Sequence, residues 1–221
     1  MSGRARAMEE LVSRGREVLP LMRKVVARAE GEPLALAKRV IGDIDRDEAK
    51  LLLAKAGHEN INDLKTVADE GLAKLFPNLS LHVLPTKAGE DGRGEAERAV
   101  VVNNLGDKGG ARLIAKPEDV VALLTSKAAD EADVRALARA ALFVLRATRP
   151  KAHTDTLVGR SNAPNDPDNW WDPAAYTIEK GDGWKVSGVS MQFGHEWMSV
   201  ELALDKDGKL AKIVATSTGR I

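Results

Sequence analysis

The chain has 221 residues, of which 43% are hydrophobic and 30% charged, and its 33 basic residues balance its 33 acidic ones. This balance argues against a protein that binds nucleic acid mainly through phosphate contacts, because such proteins normally carry a basic excess. The chain has no cysteine, which removes disulfides, thiolate nucleophiles and cysteine-ligated metal clusters. No apolar run approaches the roughly 20 residues that a membrane-spanning helix needs.

The compartment is left open by the sequence. The amino-terminal stretch MSGRARAMEELVSRG carries arginines but lacks the apolar segment of a signal peptide. We therefore expect either a cytoplasmic protein or an exported one whose signal peptide has been removed.

The first predicted element is an amphipathic helix over residues 8–29. Apolar residues recur there at spacings of three and four, which places them on one face of a helix. Pro20 removes a backbone donor inside this pattern, so we expect either a kink or two helices that meet at Leu19–Pro20. Pro33 is expected to open a second helix.

Two further short helices are predicted before residue 78. Asp45 followed by Glu48 has the form of a capping box, which predicts a third helix over Glu48–Ala56 that Gly57 ends. Asn62 is then expected to cap a fourth helix that stops at Pro77.

Residues 51–80 resemble a helix-hairpin-helix unit of DNA repair and processivity proteins. The resemblance rests on the helix Leu51–Ala56, the pair Ala56-Gly57, and the apolar residues Ile61, Leu64, Leu72 and Leu75. It implies a nucleic-acid accessory role through backbone N–H groups of the hairpin. In that family the hairpin is rich in glycine, whereas Phe76–Ser80 contains a proline and no glycine, which obstructs close approach to a phosphate.

The centre of the chain changes to short strands. The runs at 79–85 and 98–105 are apolar and suited to strands, and the glycine-rich turn after 105 leads into a strand at 111–115. Helices are predicted over 117–125, where a proline lies in the first turn, and over 130–148.

The carboxy-terminal part predicts an antiparallel meander. Six of the eight aromatic residues lie between positions 170 and 197, and aromatic residues favour strands. The expected strands, separated by glycine-containing turns, are Tyr176–Lys180, Trp184–Phe193, Glu196–Leu204 and Lys209–Thr216. The apolar phase changes at Gly188, which predicts a β-bulge.

These elements together predict an α+β protein. We expect a helical region over 1–78 and an α+β domain over 79–221, in which a four-stranded meander is packed by the 130–148 helix and residues 149–175 form a long loop. The layout of a helix followed by a meander resembles cystatin-like and nuclear-transport-factor-like folds.

The leading functional hypothesis is a non-catalytic binding or assembly module. Adjacent residues of an extended loop cannot easily both point inward, so Trp170 and Trp171 are expected to leave one indole partly exposed to a partner. Asp168, Asp172 and Tyr176 flank them and complete the predicted partner-binding set.

The first alternative is a hydrolase-like enzyme. His153 and Asp155 are two residues apart and could share one side of an extended segment. With Asp166, Asp168 and Asp172 of the same predicted loop, they could form an acid–base site over residues 153–172. His195 beside Glu196 is a weaker catalytic candidate, because neighbours in a strand point to opposite faces.

No cofactor or metal is predicted, since the four histidines form no zinc motif and no nucleotide-binding fingerprint occurs. The partner, a protein or a small molecule, is not identified by the sequence. Nucleic acid is disfavoured, and a homo-oligomer is compatible with everything above.

Overall fold

A computed structural model describes the chain over residues 3–85, 98–106, 109–148, 177–193 and 196–220. Within these ranges the helices are α1 (Gly3–Ser13), α2 (Leu19–Arg28), α3 (Gly31–Lys55), α4 (Glu70–Leu75), α5 (Pro117–Leu123) and α6 (Glu131–Ala147). The strands are β1 (Lys65–Val67), β2 (Leu79–Pro85), β3 (Arg98–Asn104), β4 (Ala111–Ile114), β5 (Thr177–Lys180), β6 (Trp184–Phe193), β7 (Glu196–Leu204) and β8 (Leu210–Arg220).

The strands form two four-stranded antiparallel sheets, with the orders β1-β2-β3-β4 and β5-β6-β7-β8. Helices combined with antiparallel sheets confirm the predicted α+β class. No helix of the described part of the chain is long and apolar enough to cross a membrane.

The contacts divide the chain into two compact units. The amino-terminal unit comprises Met1–Ala68, Asn78–His82 and Val101–Leu113. The carboxy-terminal unit comprises Asp69–Pro77, Val83–Val100 and Ile114–Ile221.

Pro20 separates two helices of the amino-terminal unit. After α1 the chain makes a 3-10 turn over Gly15–Val18, and α2 then begins at Leu19 with Pro20 in its first turn, where its missing N–H does no harm. The predicted meeting of two helices at Leu19–Pro20 is thus confirmed. Buried apolar side chains from these helices, α3 and the end of β3 form one core cluster: Val18, Leu19, Met22, Ala37, Val40, Ile44 and Leu105.

The helix α3 corrects the prediction of separate second and third helices. It runs without a break for 25 residues, so Asp45 lies in its interior and does not cap a helix that begins at Glu48. Asp45 is only 6% exposed, and its carboxylate bonds side chains of β2 instead of the helix backbone. The predicted end is confirmed, because Gly57 follows the helix with a left-handed φ of 81°.

The predicted fourth helix is wrong over its first half. A 3-10 turn over Ile61–Asp63 is followed by β1, and only then does α4 begin, with the Asp69 carboxylate accepting from the Leu72 N–H at 2.7 Å. Thr66 and Val67 are β-branched, which favours a strand at this point. Segment 51–80 therefore does not form the paired helices of a helix-hairpin-helix unit.

The meander of the carboxy-terminal unit is confirmed, with each strand antiparallel to the next. The pairing of β6 with β7 shifts register between Val186 and Val189, and Gly188 adopts a φ of 83°, which confirms the bulge. The turn before β8 contains Gly208 at a φ of 76°, and a Cβ built there would lie 2.0 Å from the Ala128 carbonyl oxygen.

Helices cover one face of this sheet. The helix α5 packs against β8 and α6, and α6 also contacts β6. Along β7, Val200, Leu202 and Leu204 are buried while Glu201 is exposed, as the predicted period of two requires. The six α6 residues that the periodicity places inward are all buried, namely Val134, Leu137, Ala138, Ala141, Leu142 and Leu145, and Ala140 and Val144 are buried as well.

Candidate functional site

The residues predicted to bind a partner or to catalyse lie outside the described ranges. These are Trp170, Trp171, Asp168, Asp172 and Tyr176 of the aromatic loop, and His153, Asp155 and His195 of the enzyme alternative. Their roles stay predictions. The sequence places the aromatic loop directly before β5, which begins at Thr177.

A groove is formed where β5 turns into β6, and we call it the β5–β6 groove. It has a volume of about 350 Å³ and is largely open to solvent. That volume is at the lower end of the range typical of small-ligand sites. The groove is lined by Glu179, Lys180, Gly181, Gly183, Trp184, Lys185 and Leu204.

Trp184 is the aromatic residue that lines the groove. Its side chain is half-buried, and the Lys180 ammonium lies 4.9 Å from the ring centroid, a cation–π distance. Lys185 pairs with Glu201 of β7 at 3.2 Å, where both side chains are about half exposed. The groove therefore presents an indole beside an ammonium group, with Glu179 as its acidic member.

The hairpin turn holds these side chains in register. The Gly181 N–H donates to the Gly183 carbonyl at 2.8 Å, and Lys180 pairs directly with Trp184 across the strands. A Cβ on Gly183 would lie 2.1 Å from the Leu204 carbonyl oxygen, so only glycine allows this close approach. Gly181 faces open space instead.

A second concentration of functional groups lies in the amino-terminal unit. Asp45 of α3 meets Ser80 and His82 of β2: the Ser80 hydroxyl donates to Asp45 Oδ1 at 2.6 Å, and His82 Nε2 lies 3.1 Å from the same oxygen. Ser80 Oγ is also 3.2 Å from Nε2. His82 is fully buried, so its ring nitrogens depend on these protein partners.

The other ring nitrogen of His82 faces a strand that solvent reaches. His82 Nδ1 lies 3.1 Å from Thr66 Oγ1, and Thr66 is exposed in the middle of β1. The resulting chain of groups is Asp45 to His82 to Thr66, from the inside of the unit to its surface. We call these three residues with Ser80 the His82 cluster.

A hydrogen-bond network around Arg16 lies in the same unit as this cluster. Arg16 binds Glu48 through two N–H groups at 2.7 and 2.8 Å and also donates to Asn103 Oδ1 at 3.1 Å. Asn103 is fully buried and donates to Glu48 Oε2 at 2.8 Å. Two backbone carbonyls, of Asn104 and Gly106, accept further Arg16 bonds, at 3.1 and 3.3 Å. All three guanidinium nitrogens thereby donate to protein acceptors, which indicates a structural role.

Sequence reasoning missed the His82 cluster. The local pattern predicts a helix cap at Asp45 and places His82 only in an apolar strand. One signal was available: Ser80 and His82 are two apart in a strand, which places two polar side chains on one face of an otherwise apolar run. The remaining partners come from sequence positions 16 residues or more away, and no local pattern connects them. The described residues contain no group of His, Asp or Glu arranged to hold a metal ion.

The chain matches no protein-family model, no curated protein and no solved structure.

Proposed function

We propose that the carboxy-terminal unit acts as a non-catalytic binding module, which holds its partner in the β5–β6 groove and through Trp170 and Trp171, the residues that precede β5 in the sequence. The observation that supports it is the pairing of Trp184 with Lys180 in an open groove. Tryptophan is enriched among residues that dominate binding energy, because it contributes a large rigid surface with a polar edge.

The chemistry of the groove favours an acidic peptide segment with an apolar anchor. The indole offers a flat apolar face, and the Lys180 ammonium beside it can turn from the ring to a carboxylate of the partner. Lys185 already has Glu201 as its ion-pair partner, which leaves Lys180 as the groove lysine best suited to an incoming carboxylate. A partner with a carboxylate next to an aromatic or aliphatic side chain satisfies both groups.

A display selection tests this proposal. Random peptides of about 12 residues would be selected against the full chain, and the enriched peptides measured by titration calorimetry. We expect enriched sequences to combine an acidic with an apolar residue. Trp184→Ala should weaken binding by about tenfold to a hundredfold, as loss of an anchor does at other interfaces.

The matched control is Lys206→Ala, which removes an exposed lysine from the β7–β8 turn, outside the groove. Lys180→Ala should weaken binding several-fold, whereas Lys206→Ala should leave it unchanged. Equal enrichment of the same peptides on wild-type and Trp184→Ala protein, with both folded by circular dichroism, would refute the groove as the binding site.

A further inference from the structure

We infer that the His82 cluster is an acyl-transfer site in which Thr66 is the nucleophile, His82 its general base and Asp45 the residue that positions the imidazole. The substrate class is a carboxylic ester. All three residues belong to the amino-terminal unit, and the inference is independent of the β5–β6 groove.

With Asp45 ionised and His82 neutral, the contacts assign a position to each proton. An ionised carboxylate only accepts, so at 3.1 Å from Asp45 Oδ1 the Nε2 atom of His82 must carry the proton. In neutral imidazole the other nitrogen is then an acceptor. Nδ1 therefore receives the Thr66 hydroxyl proton at 3.1 Å, which is the contact that activates a hydroxyl nucleophile.

Thr66, and not Ser80, is the hydroxyl that can react. The Ser80 proton is directed to Asp45 at 2.6 Å, and the nearest ring nitrogen, Nε2, already carries a proton, so Ser80 has no base. Ser80 is also only partly accessible. Its role is to hold the carboxylate against His82.

Access supports the same assignment. Thr66 is exposed, and among the described strands β1 lies at the edge of its sheet, which leaves its hydroxyl within reach of a substrate. His82 and Asp45 lie behind it, fully buried and nearly so. This combination of a reachable nucleophile, a sheltered base and a carboxylate behind the base is the arrangement that hydroxyl-dependent acyl transfer requires. Here the ring is used in the reverse orientation, with Nδ1 toward the nucleophile and Nε2 toward the acid.

The reaction balances with these groups and water. Thr66 Oγ1 attacks the ester carbonyl carbon while its proton passes to Nδ1, and Asp45 stabilises the imidazolium that results. Collapse of the tetrahedral adduct breaks the bond to the alcohol oxygen, which leaves with the proton from Nδ1. Water then attacks the acyl-threonine, gives one proton to Nδ1, and releases the carboxylic acid as Thr66 regains that proton.

The probe is p-nitrophenyl acetate, incubated with the full chain, with peptide mapping by mass spectrometry to locate the acetyl group. We expect acetylation at Thr66. Thr66→Val keeps the side-chain shape and removes the hydroxyl. It should lower the rate of p-nitrophenol release by at least about a hundredfold, because it removes the nucleophile together with the proton transfer to His82. Thr66→Ser should retain release.

Controls separate this chemistry from structural roles. Thr216→Val removes an exposed strand hydroxyl elsewhere and should change neither release nor labelling. Asp45→Asn should lower the maximal rate without changing the ester concentration that gives half of it. Because Thr66 is a surface residue, Thr66→Val should fold even if Asp45→Asn does not. Acetyl groups only on lysines, or equal release by wild-type and Thr66→Val protein, would overturn the inference.

Discussion

The contact between Asp45 and His82 should be measurable as a coupling energy. Asp45→Ala and His82→Phe each remove one partner, and the double variant removes both. His82→Phe leaves a nearly buried carboxylate with only the Ser80 hydroxyl as a side-chain donor, and such an orphaned group costs about 1–3 kcal/mol.

Asp45→Ala should be the milder single change. Ser80 Oγ lies 3.2 Å from Nε2 and can accept its proton, while the Ser80 hydroxyl can turn to the Asn103 carbonyl at 3.4 Å. Alanine also has a helix propensity better than that of aspartate by about 0.6 kcal/mol, and residue 45 lies inside α3. Once one partner is gone, removal of the other leaves nothing further unpaired. The double variant should therefore lose less stability than the two single variants together, by about 1–3 kcal/mol.

Urea unfolding followed by far-UV circular dichroism measures this cycle. That signal includes the long helix α3, whereas all four tryptophans lie between positions 170 and 197 and report on the carboxy-terminal unit. The control cycle uses the exposed pair Lys185 and Glu201, which should couple by less than about 1 kcal/mol. If the effects of Asp45→Ala and His82→Phe on the free energy of unfolding add to within about 0.5 kcal/mol, the two side chains are not coupled. That result would also contradict the proposal that Asp45 supports His82 as the base for Thr66.

Two further substitutions test the backbone conformation at Gly208 and the role of Arg16. Gly208→Ala should lower the free energy of unfolding by more than about 1 kcal/mol, because the φ of Gly208 is 76° and the new Cβ would lie 2.0 Å from the Ala128 carbonyl oxygen. Gly181→Ala, where the new Cβ meets no atom within 4 Å, should change this free energy little. Urea unfolding followed by tryptophan fluorescence measures both variants, and equal effects would contradict the geometry. Arg16→Lys should lower the free energy of unfolding by about 1–3 kcal/mol, because lysine cannot reproduce the bidentate bond to Glu48. Arg39→Lys, at a side chain that is 72% exposed, should lower it by less than about 0.5 kcal/mol in urea unfolding followed by circular dichroism. A negligible effect at Arg16 would contradict its structural role.

Local patterns predict most of the fold correctly. The alternation in β7, the periodicity of α6 and the phase change at Gly188 are each carried by neighbouring residues, so the sequence displays them directly. The predictions are wrong where side chains far away in the sequence determine the local structure. The capping-box form at Asp45 competes with a continuous apolar stripe on α3, and the tertiary bonds to Ser80 and His82 favour the continuous helix.

The two candidate sites differ in the same way. Trp184 is expected in a strand from the local composition, and all the other residues that line its groove lie within five positions of it except Leu204. The His82 cluster assembles positions 45, 66, 80 and 82, and only its last two share a local pattern. Sites assembled from residues far apart in the sequence carry no local motif, because the segments that connect them have the composition of common turns and strands.

The open space around Gly181 has a practical consequence. A thiol introduced at that position would be the sole one in a chain without cysteine, at the rim of the groove and clear of neighbouring atoms. A dye attached there would sense occupation of the groove by its change in emission, so compounds and peptides could be screened before the natural ligand is identified.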